Sequence, residues 1–224
     1  MIKKINKRKG AGNKLMLYGC TLMFVSLFFT CFINFESAKN KKIATELEKK
    51  FEREILLNDE DVLHKKKNLA KEDFDLEKKI DNDIFIYDLD DSVVGVLRID
   101  KINIVLPIFK DINKKNLSKG VGILETTDQI TLEKNKITVL AGHRGGKNNT
   151  SLFFNIDKLE INDEIKITTR ENIFYYKVTG QEIIKSNDWS KFIREETKTK
   201  LFLMSCHPYP KNYQRLLIKA ELKS

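Results

Sequence analysis

Residues 201–208 read Leu-Phe-Leu-Met-Ser-Cys-His-Pro, an apolar run that ends abruptly in a thiol and an imidazole. Residues 139–145 repeat the pattern as Val-Leu-Ala-Gly-His-Arg-Gly, with a histidine at the end of the run. Short apolar runs bounded by turn residues are typical of buried β-strands. A strand that stops at a reactive side chain presents that side chain from a rigid scaffold, as catalytic sites often do. The two stretches therefore predict a β protein with a catalytic site at its strand ends.

A third residue completes a chemically sensible set, because Arg215 opens the apolar run at residues 215–222. A thiol becomes a nucleophile as its thiolate, which a neighbouring cation favours, and a tetrahedral oxyanion needs fixed donors. Residues 207–214 form a connection short enough for Cys206 and Arg215 to face each other on neighbouring strands. Cys206, His143 and Arg215 are thus predicted to be catalytic residues of acyl transfer.

Each of these residues also has a simpler interpretation when it is considered alone. Cys206 could be a small buried core residue, His143 a turn histidine, and Arg215 and Arg144 surface charges. His207 competes with His143 because it follows the thiol directly. Adjacent side chains of a strand point to opposite faces, so we expect His207 to face away from the thiol, as a modulator or a solvent-facing residue.

The N-terminal region predicts where the protein works. Residues 15–35 contain no charged side chain, and this length suits a helix that crosses a bilayer. Six basic residues and no acidic one occur in the tail at residues 1–14. The positive-inside rule then predicts a cytoplasmic tail, an uncleaved membrane anchor and an extracellular remainder. The tail also accounts for six charges of the net +9, so the outer part carries only +3 and shows no basic stripe for nucleic acid.

Residues 36–91 are rich in Lys, Glu and Asp and sparse in apolar residues. One narrow stripe repeats every four residues along a predicted helix, and such a stripe cannot bury a core alone. It consists of Ile43, Leu47, Phe51 and Ile55. We predict a charged, partly helical stalk here, with its charges on a solvated face.

Residues 92–224 form the predicted catalytic domain, which is mainly β. Short apolar runs separated by turns predict eight strands, and this regular spacing is typical of a closed barrel. The predicted strands are 93–99, 102–109, 120–125, 136–143, 164–169, 173–185, 200–206 and 215–222. One short amphipathic helix is predicted at 151–159.

These residues resemble the sortases, the cysteine transpeptidases of Gram-positive cell surfaces. Residues 140–143, Leu-Ala-Gly-His, are similar to the Leu-x-Gly-His strand end of that family, and residues 203–206, Leu-Met-Ser-Cys, to its Thr-Leu-x-Thr-Cys strand. Arg215, nine residues after the cysteine, matches the family's arginine. Ser205 departs from the pattern, because the family usually has Thr there.

The resemblance implies an eight-stranded sortase-type barrel with adjacent His and Cys strands. It implies that Cys206 attacks a Leu-Pro-x-Thr-Gly-like sorting signal to form a thioester, that His143 exchanges protons with the amines, and that Arg215 holds the oxyanion. It assigns Ser205, Ala141 and Gly142 to substrate binding. The implied partners are sorting signals of surface proteins, a lipid bilayer, and an amine acceptor such as a cell-wall precursor or a pilin lysine.

Several alternatives stay open at this stage. A chain ending at Ser224, with no second span and no lid motif, favours a single-anchor class A type enzyme over a pilin-polymerising, class C type one. An L,D-transpeptidase would need a compact Ser-His-Gly-Cys-x-Arg motif, and an inactive barrel could serve as a binding module. No cofactor or metal is expected. Calcium, which some class A members use, would have to bind acids such as Glu125, Asp128 or Glu133.

Overall fold

The computed structural model describes residues 6–58, 92–145 and 152–223. Its elements within these ranges are two α-helices, eight strands and two short 3₁₀ turns. In chain order they are α1 (Asn6–Asn58), β1 (Val93–Ile99), a 3₁₀ turn (Asp100–Ile102), β2 (Ile104–Phe109), α2 (Lys114–Leu117), β3 (Val121–Ile123), β4 (Lys136–Ala141), a 3₁₀ turn (Ile156–Lys158), β5 (Glu164–Thr168), β6 (Ile173–Lys185), β7 (Thr199–His207) and β8 (Gln214–Leu222).

The eight strands close into a barrel in the order β1-β2-β3-β4-β7-β8-β6-β5. The predicted mainly β fold with eight strands and a closed barrel is therefore confirmed. Most strand boundaries agree with the apolar runs to within two residues, and β3 is shorter than predicted. The helix predicted at 151–159 is only a 3₁₀ turn at Ile156–Lys158, and α2 was not predicted.

Two apolar layers follow from the alternation of side chains along each strand. In β7, Leu201 and Leu203 belong to the cluster that fills the barrel, and Phe202 belongs to a second cluster outside it. The outer cluster covers β4, β7 and β8 and also includes Val139 and Leu217. The site described below lies on the same face of the barrel as this second layer.

The second half of α1 packs against the barrel wall. Ile43, Leu47 and Phe51 of its predicted stripe are buried and Ile55 is half-buried, because the outer face of β1 and β2 is itself apolar and supplies the partner that the stripe lacked in the sequence. This cluster contains Ile43, Ala44, Leu47, Phe51, Val93, Val96, Val105 and Phe109. Among the described residues, those from 39 onward form one compact unit and those up to 38 another. Residues 39–58 of the predicted, partly helical stalk are helical and pack on the barrel, and residues 59–91 of that segment lie outside the described residues.

One acid of this helix is buried, although its charges were predicted to lie on a solvated face. Glu48 is 2% exposed, and the single Nε–H of Arg98 is shared between its two carboxylate oxygens, at 3.1 and 2.9 Å. Lys166 Nζ lies 3.1 Å from Oε1 of the same carboxylate. Burial raises the pKa of Glu48, but the hydrogen bonds from Arg98 and Lys166 outweigh it and leave the pKa below its ordinary value. The helix is therefore held by charge pairs as well as by apolar contact.

Within the ranges that the structure describes, no helix combines the length and the apolarity that crossing a membrane requires. The membrane anchor predicted at residues 15–35 stays a prediction.

Candidate active site

The site lies where β4 and β7 end side by side. The two strands run parallel, Ala141 pairs with Met204, and the Gly142 amide donates to the Met204 carbonyl at 3.1 Å. Parallel neighbours end at the same edge of a sheet, so His143 and Cys206 emerge at one edge. His143 follows this last ladder bond and is exposed.

Strand β8 brings the arginine to the same place. It runs antiparallel to β7, and its register sets Cys206 directly opposite Arg215. Alternation places Cys206 on the outer face with Phe202, and Arg215 on the outer face with Leu217. The three predicted catalytic residues therefore stand on three adjacent strands at one edge of the barrel.

Arg215 is turned toward the connection between β7 and β8. Its Nη1 donates to the carbonyls of Asn212 at 3.2 Å and Gln214 at 2.8 Å. These are its only hydrogen bonds to the described residues, so Nε and Nη2 keep donor capacity for another group. A guanidinium has five N–H donors in a fixed fork, and a bound oxyanion could use those that are left.

An apolar cluster lies on the outer face that also carries Cys206. It is the second cluster, with the half-buried Met204 packed against it. The loop at residues 186–198 covers one side, where Phe192 stacks edge-on against Phe202 with ring centroids 5.0 Å apart. Trp189 lies beside Phe192 and is 54% exposed. The cluster itself is buried, and Trp189 and part of Met204 are the apolar side chains that stay accessible at its border.

The three residues assigned to substrate binding hold the strand ends together. Ser205 is 2% exposed and faces the barrel interior, where its Oγ donates to the Gly142 carbonyl at 2.9 Å. Ala141 is buried, and a Cβ on Gly142 would lie 2.8 Å from the Phe153 ring. Substrate binding by Ser205, Ala141 and Gly142 stays a prediction, and the structure gives each a packing role.

Arg144 is not the surface charge that the sequence suggested. It is 8% exposed, its Nη1 lies 2.7 Å from His207 Nδ1, and its Nη2 lies 3.0 Å from the Asp157 carboxylate. His207 is half-buried rather than solvent-facing. No sequence pattern indicated this group, because Asp157 belongs to a separate turn after β4 and reaches Arg144 only in the folded chain.

Two of the three acids considered for calcium, Asp128 and Glu133, are engaged by cations of the protein. Asp128 accepts the Ile137 amide at 2.9 Å and pairs with Arg194 at 2.6 Å. Burial raises the pKa of Asp128, but these hydrogen bonds lower it further than burial raises it. Glu133 pairs with Lys136 at 3.4 Å. In the described part of the chain, no group of three or more His, Cys, Asp or Glu side chains is placed to hold a metal ion.

Comparison with known proteins points to one family. The family model of the sortase domain matches residues 97–223. Sortase D of Bacillus subtilis is 30% identical over 125 residues, which cover 53% of this chain and 60% of that protein. Sortase A of Bacillus anthracis is 28% identical over 131 residues, which cover 58% of this chain and 60% of that protein. The chain thus spans about 60% of the length of these curated relatives.

Solved structures give the same result. Sortase A from Corynebacterium diphtheriae superposes with a TM-score of 0.57 at 27% identity, covering 59% of this chain and 61% of that one. Sortase C2 of Group B Streptococcus Pilus Island 1 also has a TM-score of 0.57 at 27% identity, covering 60% of this chain and 76% of that one. The family match spans more than half of the chain and includes all three strand ends of the site. The chain belongs to the sortase family of cysteine transpeptidases.

Proposed function

We propose that this protein cleaves a sorting-signal peptide through a thioester on Cys206 and transfers the acyl part to an amine. The observation that carries the proposal is the register of β7 and β8, which sets Cys206 opposite Arg215, while the parallel pairing of β4 and β7 places His143 at the neighbouring strand end. A nucleophile, a proton carrier and a permanent cation thereby share one edge of the barrel. Acyl transfer through a thiolate needs these three functions.

In the first half of the reaction, the Cys206 thiolate attacks the carbonyl carbon of the scissile peptide bond. The tetrahedral oxyanion collapses, the C–N bond breaks, and the leaving amine takes a proton from His143. The product is a thioester at Cys206. In the second half, an incoming amine attacks the thioester carbonyl, gives its proton to His143, and releases the Cys206 thiolate with a new amide bond.

Arg215 is proposed to stabilise the oxyanion in both halves. The guanidinium carries a permanent charge, and its donors outside the two carbonyl bonds described above remain for a bound substrate. Removal of one oxyanion donor commonly lowers an enzyme's rate by roughly 10²–10³-fold. Arg215 is thus expected to act mainly on turnover rather than on folding.

The substrate is proposed to be an extended peptide of the Leu-Pro-x-Thr-Gly kind. The accessible apolar side chains of Trp189 and Met204, on the face of the barrel that carries Cys206, support a peptide with apolar side chains. For the acceptor, we propose a cell-wall amine, as in a class A type enzyme. A pilin lysine is the second candidate, because Sortase C2 of Pilus Island 1 is as similar in fold as Sortase A.

We also propose that the chain is tethered to the cell membrane with its barrel outside. The support is in the sequence, where 21 uncharged residues at 15–35 follow a tail with six basic residues. Membrane fractionation with protease added to intact cells tests this. Barrel fragments released only after cell lysis would contradict it.

The activity is tested with a panel of fluorogenic sorting-signal peptides, incubated with the full chain in mild detergent. Each peptide is assayed alone, with a glycine-type amine, and with a lysine-containing peptide, next to Cys206→Ala as the control. We expect cleavage that requires Cys206 and an amide product when amine is present. Preference for the lysine peptide would favour the pilin alternative. An inactive binding module would leave all peptides uncleaved and Cys206 unlabelled by thiol-reactive substrate mimics.

A further inference from the structure

Arg144 joins three separate segments at the active-site edge. The residue follows His143 just after the end of β4 and contacts His207 at the end of β7. It also pairs with Asp157, which lies in the 3₁₀ turn Ile156–Lys158. It is 8% exposed, whereas Asp157 is about half exposed, so the guanidinium is the buried centre of this group. None of the reaction steps above uses it.

We propose that Arg144 is a positioning residue that engages His207 through its Nδ1 atom, and thereby leaves His143 as the imidazole that exchanges protons at Cys206. The inference rests on the proposed nucleophilic role of Cys206. It concerns a residue that takes no part in the proposed reaction steps and acts through its neighbours in the fold.

The direction of the contact follows from the chemistry of the two groups. A guanidinium has donors and no acceptor, so at 2.7 Å the His207 Nδ1 must accept the hydrogen bond. The contact therefore fixes which ring nitrogen of His207 faces Arg144.

The surrounding backbone shows what the contact positions. The Phe153 amide donates to the His143 carbonyl at 2.9 Å, and a Cβ at Gly145 would come within 2.6 Å of the Tyr209 ring. The segment that carries His143 is therefore pressed between two loops. Arg144 is the charged link that ties this segment to the end of the Cys206 strand. Loss of the link would release both histidines at once.

The test uses the full chain with Arg144→Met, which keeps much of the side-chain length but donates no hydrogen bond, and Arg144→Lys, which keeps the charge. Arg170→Met, at an arginine on the α1 side of the barrel, is the control. The readout is the rate of Cys206 alkylation by iodoacetamide from pH 5 to 9, quantified by mass spectrometry of the Cys206 peptide so that Cys20 and Cys31 do not contribute. Thermal melts and peptide cleavage are measured alongside.

For Arg144→Met we expect an added inflection in the alkylation profile between about pH 5 and 8, the range in which a released imidazole titrates. Adding His207→Asn should remove it, because Asn titrates no proton. The kcat for peptide cleavage should fall by roughly 10–10²-fold, the scale expected for a small misplacement of a catalytic group. Arg144→Lys should restore the single-inflection shape at least in part, and Arg170→Met should match the parent profile.

An unchanged profile in Arg144→Met, with activity lost only in proportion to the loss of thermal stability, would overturn the inference and leave a purely structural residue. Should Arg144→Met not fold, the same comparison is made with Arg144→Gln, which carries no charge, and with Asp157→Asn. Both are expected to alter the profile, and two parent-like profiles would overturn the inference. Cleavage by Cys206→Ala would instead refute the proposed function, so the two failures are distinguishable.

Discussion

Glu48→Gln tests whether the charged contact between α1 and the barrel stabilises the protein. The substitution keeps the size of the side chain but removes the negative charge that lies between Arg98 and Lys166. Removing one partner of a fully buried ion pair costs about 3–5 kcal/mol. The side chains of Arg98 and Lys166 stay 26% and 19% exposed and can be partly rehydrated. We therefore expect a loss of about 2–3 kcal/mol in the free energy of unfolding at pH 7.

The assay is denaturant and thermal unfolding of the full chain in mild detergent, where this loss corresponds to a fall in Tm of about 4–12 °C. The matched control is Glu46→Gln on the same helix, whose partner Lys49 is 55% exposed. Exposed pairs of that kind contribute roughly 0.2–1 kcal/mol, so the control should change little.

The pH dependence of the Glu48→Gln difference has a definite sign. Because the pKa of Glu48 is lowered in the folded state, its contribution is complete above the unfolded value of 4.5 and is lost as pH falls through the folded pKa. The difference between parent and Glu48→Gln should thus shrink below about pH 4.5. A difference below about 0.5 kcal/mol at pH 7, no larger than that of Glu46→Gln, would refute the inferred role of the buried carboxylate.

Three further predictions concern the site. His143→Ala should lose most peptide cleavage and His207→Ala much less, and the reverse order in steady-state assays would reverse their roles. Arg215→Lys should lower kcat by roughly 10²-fold with an unchanged Tm, because Lys cannot reproduce the planar fork of the guanidinium. Near-normal turnover by Arg215→Ala would indicate that Arg215 is only a surface charge. Arg194→Ala should loosen the loop at residues 186–198 by freeing Asp128, seen as faster hydrogen exchange there, and protection equal to the parent would contradict this role.

The sequence predicted the barrel well because its strands are marked locally. Each strand is an apolar run between turns, and the short connection after His207 made the pairing of Cys206 with Arg215 foreseeable. The prediction that β4 and β7 are adjacent came from the family resemblance. Two parallel strands that are distant in the chain have no local sequence signal of their pairing. The structure supplies both pairings directly.

What the sequence could not predict depends on contacts between distant segments. The stripe on α1 was visible, but its partner on β1 and β2 was not, because those strands are apolar on both faces. The burial of Glu48 and Arg144 could not be predicted for the same reason. A charged residue is expected to be exposed unless its partners in the fold are known. Arg98 and Asp157, the partners in question, lie in other elements of the chain.

The most direct test of the central claim is to trap the acyl-enzyme. The full chain is mixed with a sorting-signal peptide, quenched in acid after a short time, digested and analysed by mass spectrometry. We predict that the peptide containing Cys206 gains the mass of the acyl fragment through a thioester, that added amine discharges it as an amide, and that Cys206→Ala shows neither. Amine-dependent turnover without this adduct, or an acyl group on Cys20, Cys31 or another residue, would contradict the assignment of Cys206 as the nucleophile.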